Sequence, residues 1–470
     1  MPEISKKITI ALIVGGLCAA SFFILLNNFK KPNPRTVDEV VYYTMARQMQ
    51  DNIFAYNTTG LALHDFMTQG KEYPDYFYKP LFKHPPLFTL LIMLSVKMFG
   101  PTALGAGFFP IFLGSLSIAL VYLIGRMVGG RIAGLLAAGF MFIDPVLIMS
   151  SQKVWMDAPL MFFMLLTVYS YWKAIREKKD SFFLMGGLAA GAAFMVKYPG
   201  ILTFLTVILF VILSAPEVFR NRKFLLSLVL PFLVSVPWFA LNFYVYGQKF
   251  ITDQLAVHDF NSVFSLPVLV FGIGMAILIL SATLMFYHPD MISRRFTLFL
   301  QKKGVFYLKM LAWVATIAFV LANVPRSLDF FEVPAVSWTQ GAFAGKPRWF
   351  YFERLLRFSL TYGFAYLAFF DPFHKTEKGL FLMKLNAVII MVFFAAWGNF
   401  QCRYILPSLP FLLVMSGDYV WKLFKDFAEI NIVFLRLTLQ SLLLVFIVLA
   451  VSKTILINFE VSFTNFMCYF

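Results

Sequence analysis

The sequence Thr36-Val37-Asp38-Glu39 lies near the start of the long loop, residues 27–103, that separates the first apolar segment from the others. Apolar side chains recur behind it at helical spacing, at Tyr42, Met45, Ala46, Met49 and Ile53. This spacing predicts an amphipathic helix with Asp38 at its head. Thr36 and Glu39 also fit the pattern of a capping box, in which a hydroxyl and a carboxylate bind the first backbone amides of a helix.

The two carboxylates of this stretch have different interpretations. The capping box by itself accounts for Glu39. Asp38 falls in the first helical turn, where the helix dipole stabilises its anion. An ionised Asp38 is available as a hydrogen-bond acceptor or as a base, so it is the better candidate for chemistry.

The loop closes with a basic segment and a short apolar run. Lys83, His84 and two prolines precede Leu87–Phe99. This run is shorter than the roughly 20 apolar residues that a transmembrane helix needs, so we predict that it lies along the membrane interface. Two interfacial helices then bracket the loop, with acids at its start and bases at its end.

Composition places the chain in a membrane. Of its 470 residues, 60% are hydrophobic and 14% are charged, whereas soluble domains carry about 25% charged residues. The formal net charge is +16, but the basic residues are scattered through short loops between apolar runs, which is ordinary membrane topology. We therefore expect one polytopic membrane domain, residues 1–470, without a nucleic-acid partner.

The apolar runs predict an all-α protein with about 13 transmembrane helices. The first run extends from Ile8 to Leu26 and another from Ile132 to Met149. A cytoplasmic N-terminus satisfies the positive-inside rule, provided that Leu87–Phe99 does not cross the membrane. The predicted extracytoplasmic segments are then the first loop, Ser151–Asp157, Lys197–Gly200, Gly247–Ser265, Asn323–Trp349 and Trp397–Arg403.

Three polar residues at span ends have both a structural and a functional interpretation. Asp157 precedes Ala158 and Pro159, and an acid at this place can simply cap the helix. Lys197 divides two short spans, and such a lysine can extend to the interface. Arg403 starts a helix, where its charge opposes the dipole. Arg403 therefore needs an anion close by, which favours a functional role.

Five short motifs on the predicted outer side occur in order along the chain. They are Asp38-Glu39, His84-Pro85-Pro86-Leu87, Asp157-Ala158-Pro159-Leu160, Lys197-Tyr198-Pro199-Gly200 and Arg403-Tyr404-Ile405-Leu406-Pro407. Together they resemble the polytopic glycosyltransferases of the GT-C class, particularly the dolichyl-phosphate-mannose protein mannosyltransferase and lipid A aminoarabinose transferase branch. Each motif is weak alone, and their order carries the resemblance.

The resemblance implies an enzyme that transfers a sugar from a polyprenyl-phosphate donor to a lipid or protein acceptor. It also implies an extracytoplasmic active site in the plasma (inner) membrane. The catalytic base of the family corresponds to Asp38, with Glu39 beside it, and Asp157 would shape the same cavity. The sequence from His258 to Asn261 resembles the family's His-acid-Asn patch.

The chemistry of such a donor suits the same residues. Phosphate is a good leaving group, so the site needs a base opposite it and cations around the departing anion. Asp38 would accept the proton of the acceptor hydroxyl, and Lys83, Lys197 and Arg403 would bind phosphate oxygens. In-line attack would invert the anomeric centre. The cavity or acceptor site is expected to include His84, Tyr404 and His258.

Two departures from the family limit what the resemblance implies. Lys83-His84-Pro85-Pro86 stands where some relatives have Glu-Lys-Pro-Pro, so a metal or phosphate contact at this position does not carry over. The chain also ends soon after its last apolar run, and we expect no soluble C-terminal domain. A divalent metal has suitable ligand types in His84, His258, Glu39 and Asp157, but the sequence requires no cofactor and we expect none.

Two other functions compete with this interpretation. A transporter or flippase for an anionic lipid would also use a basic cavity among many helices, but transporters more often show inverted repeats and charges within spans. An O-antigen ligase or polymerase is the second alternative, and enzymes of that class tend to carry their large outer loop late in the chain. Here the polar residues concentrate on one side and the large loop comes first, which favours surface chemistry.

Overall fold

The computed structural model describes residues 3–30, 36–58, 79, 81, 84–250, 303–329, 350–397 and 401–463. All regular elements in these ranges are helices. Two residues predicted for the site, Lys83 and His258, lie outside the described residues.

The α-helices are numbered here in chain order. The first nine are α1 (Glu3–Lys30), α2 (Val37–Asp51), α3 (Leu87–Phe99), α4 (Ala103–Gly129), α5 (Arg131–Phe142), α6 (Pro145–Ser151), α7 (Asp157–Glu177), α8 (Ser181–Val196) and α9 (Ile201–Ser214). The others are α10 (Arg222–Tyr246), α11 (Lys303–Ser327), α12 (Phe350–Phe358), α13 (Thr361–Phe370), α14 (Lys378–Trp397), α15 (Cys402–Ile405), α16 (Leu409–Ala428) and α17 (Val433–Phe463). Short 3-10 turns cover Tyr198–Gly200, Pro216–Arg220 and Leu406–Ser408.

Seven of these helices are long and apolar enough to cross a membrane: α1, α4, α7, α10, α11, α14 and α17. The bent pair α5 and α6 makes an eighth span if it is counted as one, and shorter apolar helices lie between them. The predicted polytopic, all-α architecture is thus confirmed. The number of about 13 crossings stays a prediction, because 251–302 and 330–349 lie outside the described residues.

The two helices predicted to bracket the first loop are present. α2 begins after Thr36, and the capping box is formed: the Thr36 amide donates to Glu39 Oε1 at 3.1 Å and the Glu39 amide donates to Thr36 Oγ1 at 3.4 Å. Four residues of the predicted apolar face are buried, namely Tyr42, Met45, Ala46 and Met49. Ile53 is exposed, so its assignment to the buried face was wrong, because α2 ends two residues earlier at Asp51.

The predicted single run from Ile132 to Met149 is a second point where the structure differs. It divides into α5 and α6, whose axes differ by 56°. Pro145 cannot donate a backbone hydrogen bond and stands at the first position of α6. Asp144 caps this helix by accepting from the Leu147 amide at 2.9 Å, and the Tyr362 hydroxyl donates to its other oxygen at 2.5 Å. The bend directs the segment after α6 towards α2.

Small residues allow the central helices to pack closely. A Cβ atom on Gly125 of α4 would lie 2.9 Å from the Cα of Gly134 in α5, and one on Gly417 of α16 would lie 2.5 Å from the Ala133 carbonyl oxygen. Close backbone approach through small residues is the usual packing mode of helices in membranes. It holds α4, α5 and α16 together at the centre of the bundle. At one end of this bundle the segment before α7 and the start of α15 contact α2, and the end of α8 contacts the start of α7. This is the end of the candidate site.

Candidate active site

Asp38 lies in the first turn of α2 and forms an ion pair with Arg403. Arg403 Nη2 donates to Asp38 Oδ2 at 2.9 Å. The Asp38 side chain is 46% exposed, whereas that of Arg403 is largely buried. The pair joins the first loop to the start of α15. An accessible carboxylate is therefore held in one orientation by a largely buried guanidinium.

The position of Arg403 explains how a cation is tolerated at a helix start. Besides Asp38, it contacts Gln401, whose Oε1 accepts from Arg403 Nε at 2.8 Å. Its guanidinium carbon lies 4.3 Å from the centre of the Trp155 ring and 5.3 Å from that of Tyr404. The anion that the sequence predicted for Arg403 is thus Asp38, and the aromatic faces add a further favourable interaction.

Lys197 and Asp157 form a second ion pair beside the first. Lys197 Nζ lies 3.0 Å from Asp157 Oδ1, and the Asp157 side chain is only 2% exposed. Asp157 stands in the first turn of α7 and Lys197 directly follows α8, so each charge is favoured by the dipole of its own helix. Lys197 Nζ also lies 4.5 Å from the centre of the Tyr404 ring. Lys197 thus contacts a buried carboxylate and an aromatic ring instead of extending to the interface.

Glu39 and Lys153 form a third, fully buried pair. Lys153 Nζ lies 3.7 Å from Glu39 Oε1, and the two side chains are 4% and 1% exposed, respectively. The Val154 amide donates to the other carboxylate oxygen at 3.1 Å. Glu39 therefore completes the capping box and also holds the segment after α6 against α2. The catalytic role predicted for Glu39 stays a prediction, and its geometry is that of a structural anchor.

Aromatic residues enclose the ion pairs. Tyr42 is buried on α2, one turn after Asp38, and its ring packs against Phe88 at 5.3 Å and against His84 at 6.2 Å between centres. Burial, followed by the negative charge of Asp38, raises the pKa of the Tyr42 hydroxyl well above its usual range. The hydroxyl therefore stays protonated and can donate a hydrogen bond near Asp38.

Tyr56 places the His84 segment at the same end of the bundle. Its hydroxyl donates to the His84 carbonyl oxygen at 3.0 Å, and its ring contacts Trp238 at 5.6 Å between centres. Trp238 Nε1 in turn donates to the Tyr198 hydroxyl at 3.2 Å. These contacts connect the second and fourth motifs through α10, although the motifs lie far apart in the sequence.

Most of the residues predicted for the site are thus brought to one end of the bundle. The described ones among them are Asp38, Glu39, His84, Asp157, Lys197, Arg403 and Tyr404. Sequence reasoning missed Tyr42, Lys153, Trp155 and Gln401. For Lys153 and Trp155 a signal was present, because both lie in the short polar segment that directly precedes Asp157.

Metal ligands are not assembled in the part of the site that the structure describes. Across these residues, no three His, Cys, Asp or Glu side chains are grouped so that they could hold a metal ion. His258, one of the predicted ligands, lies outside the described residues.

Solved structures share this arrangement of helices. ArnT from Cupriavidus metallidurans bound to undecaprenyl phosphate superposes with a TM-score of 0.54 and 12% identity, over 96% of this chain and 76% of that one. The archaeal oligosaccharyltransferase AglB from Archaeoglobus fulgidus, in complex with an inhibitory peptide and a dolichol-phosphate, gives a TM-score of 0.55 and 16% identity, over 96% of this chain and 56% of that one. The chain therefore has the fold of the GT-C class of membrane glycosyltransferases.

The sequence itself matches one family model over part of its length. Residues 17–250, just under half of the chain, match the dolichyl-phosphate-mannose-protein mannosyltransferase family. The predicted resemblance is thereby confirmed. The matched family and both solved structures are glycosyltransferases, which agrees with the predicted enzyme class. An uncharacterized protein of Aquifex aeolicus (strain VF5) is 26% identical over 170 residues, which is 36% of this chain and 34% of that protein.

Proposed function

We propose that the protein transfers a sugar from a polyprenyl-phosphate donor to a hydroxyl group of a lipid or protein acceptor. The observation that carries this proposal is the pairing of an accessible carboxylate, Asp38, with a largely buried cation, Arg403, beside a second cation, Lys197. The family match of residues 17–250 supports the type of reaction. The polyprenyl phosphates named with ArnT and AglB support the type of donor.

Asp38 is the base in this proposal because it is the accessible carboxylate of the three. Asp157 and Glu39 are almost completely buried, and both are engaged with lysines. A general base must reach the proton that it removes. The exposed Asp38 can accept a proton from an acceptor hydroxyl, while Arg403 holds its second oxygen in a defined orientation.

Arg403 and Lys197 stabilise the departing phosphate in this proposal. A guanidinium has five N–H donors in a fixed fork, which suits it to phosphate oxygens. We propose that its positive charge also attracts the donor phosphate, while the acceptor hydroxyl attacks the sugar carbon from the face opposite that phosphate. Lys83 is proposed as a third cation from the sequence alone. In-line attack in this geometry inverts the anomeric centre.

Other predicted residues position or enclose the substrates in this proposal. Asp157 orients Lys197, and Glu39 anchors the segment that carries Trp155. Tyr404 lies between the two cations, and His84 and His258 line the cavity or bind the acceptor. We propose that the two cations neutralise the phosphate without a metal ion.

The proposed location is the outer face of the plasma membrane, with a cytoplasmic N-terminus. The asymmetric distribution of lysines and arginines supports this orientation. Transport of an anionic lipid is the competing function. The gathering of the described site residues at one end of the bundle, instead of along a path through it, favours chemistry at a surface.

The decisive experiment measures release of free polyprenyl phosphate. Purified protein is incubated with a panel of polyprenyl-phosphate sugars and a membrane extract as the acceptor source. We expect the wild-type protein to release polyprenyl phosphate. The rate of release should fall by about 10² to 10⁴-fold in Asp38→Asn and stay unchanged in Asp51→Asn. Asp51 is a matched control because it is an exposed aspartate at the end of the same helix.

Two outcomes would contradict the proposal. Normal turnover in Asp38→Asn would remove Asp38 from the role of base. Absence of release with every donor, together with movement of the intact lipid across vesicle membranes that contain the protein, would establish the transporter instead.

A further inference from the structure

A groove lies at the end of the bundle opposite the candidate active site. It has a volume of about 410 Å³ and runs between α1, α4 and α5. Most of its wall is apolar and includes Ile10, Ala11, Val14, Leu116, Ala119 and Leu123. None of these residues belongs to the site around Asp38, so the groove is a separate feature of the fold.

One end of the groove is basic. Lys7 near the start of α1, Arg126 in the last turn of α4 and Arg131 at the start of α5 all line it. Three cations at the mouth of an apolar groove provide complementary contacts for a molecule with one anionic end and a long apolar body.

The length of the groove corresponds to one leaflet of a bilayer. Along α1 its wall extends from Lys7 to Cys18, which at about 1.5 Å per residue is roughly 16 Å. The hydrocarbon core of a bilayer is about 30 Å thick, so one leaflet contributes about half of that. The basic end therefore lies at headgroup level and the apolar end near the bilayer midplane.

We propose that this groove binds one anionic glycerophospholipid from the leaflet opposite the candidate active site. Its phosphate group contacts Lys7, Arg126 and Arg131, and one acyl chain lies between α1 and α4. Arginine suits this contact because its planar fork can donate two parallel hydrogen bonds to phosphate oxygens. Clustered basic residues at a membrane surface attract anionic lipids in the same way.

The bound lipid has a structural consequence for α1. This helix is mostly exposed to the membrane and contacts α4 through few polar groups, among them the Ser21 and Ser115 hydroxyls at 3.2 Å. A lipid in the groove fills the gap between α1 and α4 near the membrane surface. Since α1 precedes the loop that carries Asp38, the lipid stabilises the helix from which that loop extends.

The first test compares lipid binding in two charge variants of the full chain. Native mass spectrometry and titration in detergent use phosphatidylglycerol and phosphatidylcholine with identical acyl chains. We expect the wild-type protein to bind phosphatidylglycerol more tightly than phosphatidylcholine. In Arg126→Gln/Arg131→Gln the affinity for phosphatidylglycerol should fall about 30-fold, because each basic residue contributes roughly fivefold to the affinity. The control variant Arg222→Gln/Lys223→Gln removes two exposed charges at the start of α10 and keeps wild-type binding.

The second test fills the apolar part of the groove. Gly15 lines the groove and nothing lies within 4 Å of a Cβ atom placed on it, so a larger side chain can start there and extend into the groove. The neighbouring Gly16 is equally open but does not line the groove. We expect Gly15→Leu to lose phosphatidylglycerol binding and Gly16→Leu to keep it.

Three results would overturn the proposal. The first is equal affinity for phosphatidylglycerol and phosphatidylcholine. The second is wild-type affinity for phosphatidylglycerol in both Arg126→Gln/Arg131→Gln and Gly15→Leu, or a loss of affinity in the control variants that equals the loss in these two. The third is displacement of phosphatidylglycerol by lower concentrations of a polyprenyl phosphate, which would make the carrier lipid the occupant.

Discussion

Replacing Glu39 by glutamine separates an anchoring role of this residue from a chemical one. The Glu39 and Lys153 side chains are both almost completely buried, and the N–O distance of 3.7 Å makes their attraction mainly Coulombic. Glutamine keeps the shape of the side chain but removes the counter-ion of Lys153. It also has one carbonyl oxygen instead of two, so the bond from either the Thr36 amide or the Val154 amide is lost.

These contacts set the magnitude of the expected effect. Removing one member of a buried ion pair typically costs about 3–5 kcal/mol, because the remaining charge is left uncompensated. We therefore expect Glu39→Gln to lower the free energy of unfolding by about 3–5 kcal/mol. We expect turnover of the folded fraction to change less than in Asp38→Asn, since Glu39 cannot reach a substrate from its buried position.

The assay combines unfolding with turnover. Tryptophan fluorescence follows unfolding of the purified variants, and release of polyprenyl phosphate is measured well below the unfolding transition. The double variant Glu39→Gln/Lys153→Met removes the uncompensated ammonium and should recover much of the lost stability. Wild-type stability of Glu39→Gln with at least a hundredfold lower turnover would refute the anchoring role and assign Glu39 to the chemistry.

Three further predictions follow from the geometry. Lys197→Gln should raise the KM for the donor at least tenfold while the protein still folds, because the ammonium is proposed to contact phosphate; an unchanged KM would contradict this contact. Above pH 10 the unfolded chain releases the Tyr42 proton before the folded protein does, since the pKa of Tyr42 is raised, so stability falls as the pH rises. Tyr42→Phe should lose less stability than the wild type between pH 10 and 11, and parallel pH profiles of unfolding would contradict this. Asp144→Ala removes the cap of α6 and the acceptor of the Tyr362 hydroxyl, and should lower the unfolding free energy by about 1–3 kcal/mol; Tyr362→Phe is the comparison that retains the cap, and equal losses in both variants would assign the effect to the tyrosine bond alone.

Local patterns were sufficient to predict the helices around the first loop. The capping box of Thr36 and Glu39 depends on residues three positions apart, and the apolar face of α2 depends on a regular spacing. α3 was predicted with its observed bounds, Leu87–Phe99, because prolines precede it and a glycine follows it. Such features are decided within a few residues, so they can be recognised without the rest of the fold.

Predictions failed where a local pattern was ambiguous. The run from Ile132 to Met149 has the composition of one span, but the Asp144-Pro145 pair divides it into two helices at 56°. Asp144 is stable there because Tyr362, far along the chain, donates to it. Ile53 matched the helical spacing of the apolar face, but α2 ends before it, at Asp51. Composition and spacing alone do not show where such a helix stops.

The sequence by itself determined the membrane class, the all-α architecture, the GT-C resemblance and most of the polar residues at the site. Only the tertiary structure decided which charges pair: Arg403 with Asp38 across 365 positions of sequence, Lys197 with Asp157, and the unforeseen Lys153 with Glu39. It also decided that Asp38 is accessible while the other two carboxylates are buried. The physical reason is that charge pairing and burial depend on which helix ends meet in space, and this is set by packing among helices that are remote in the sequence.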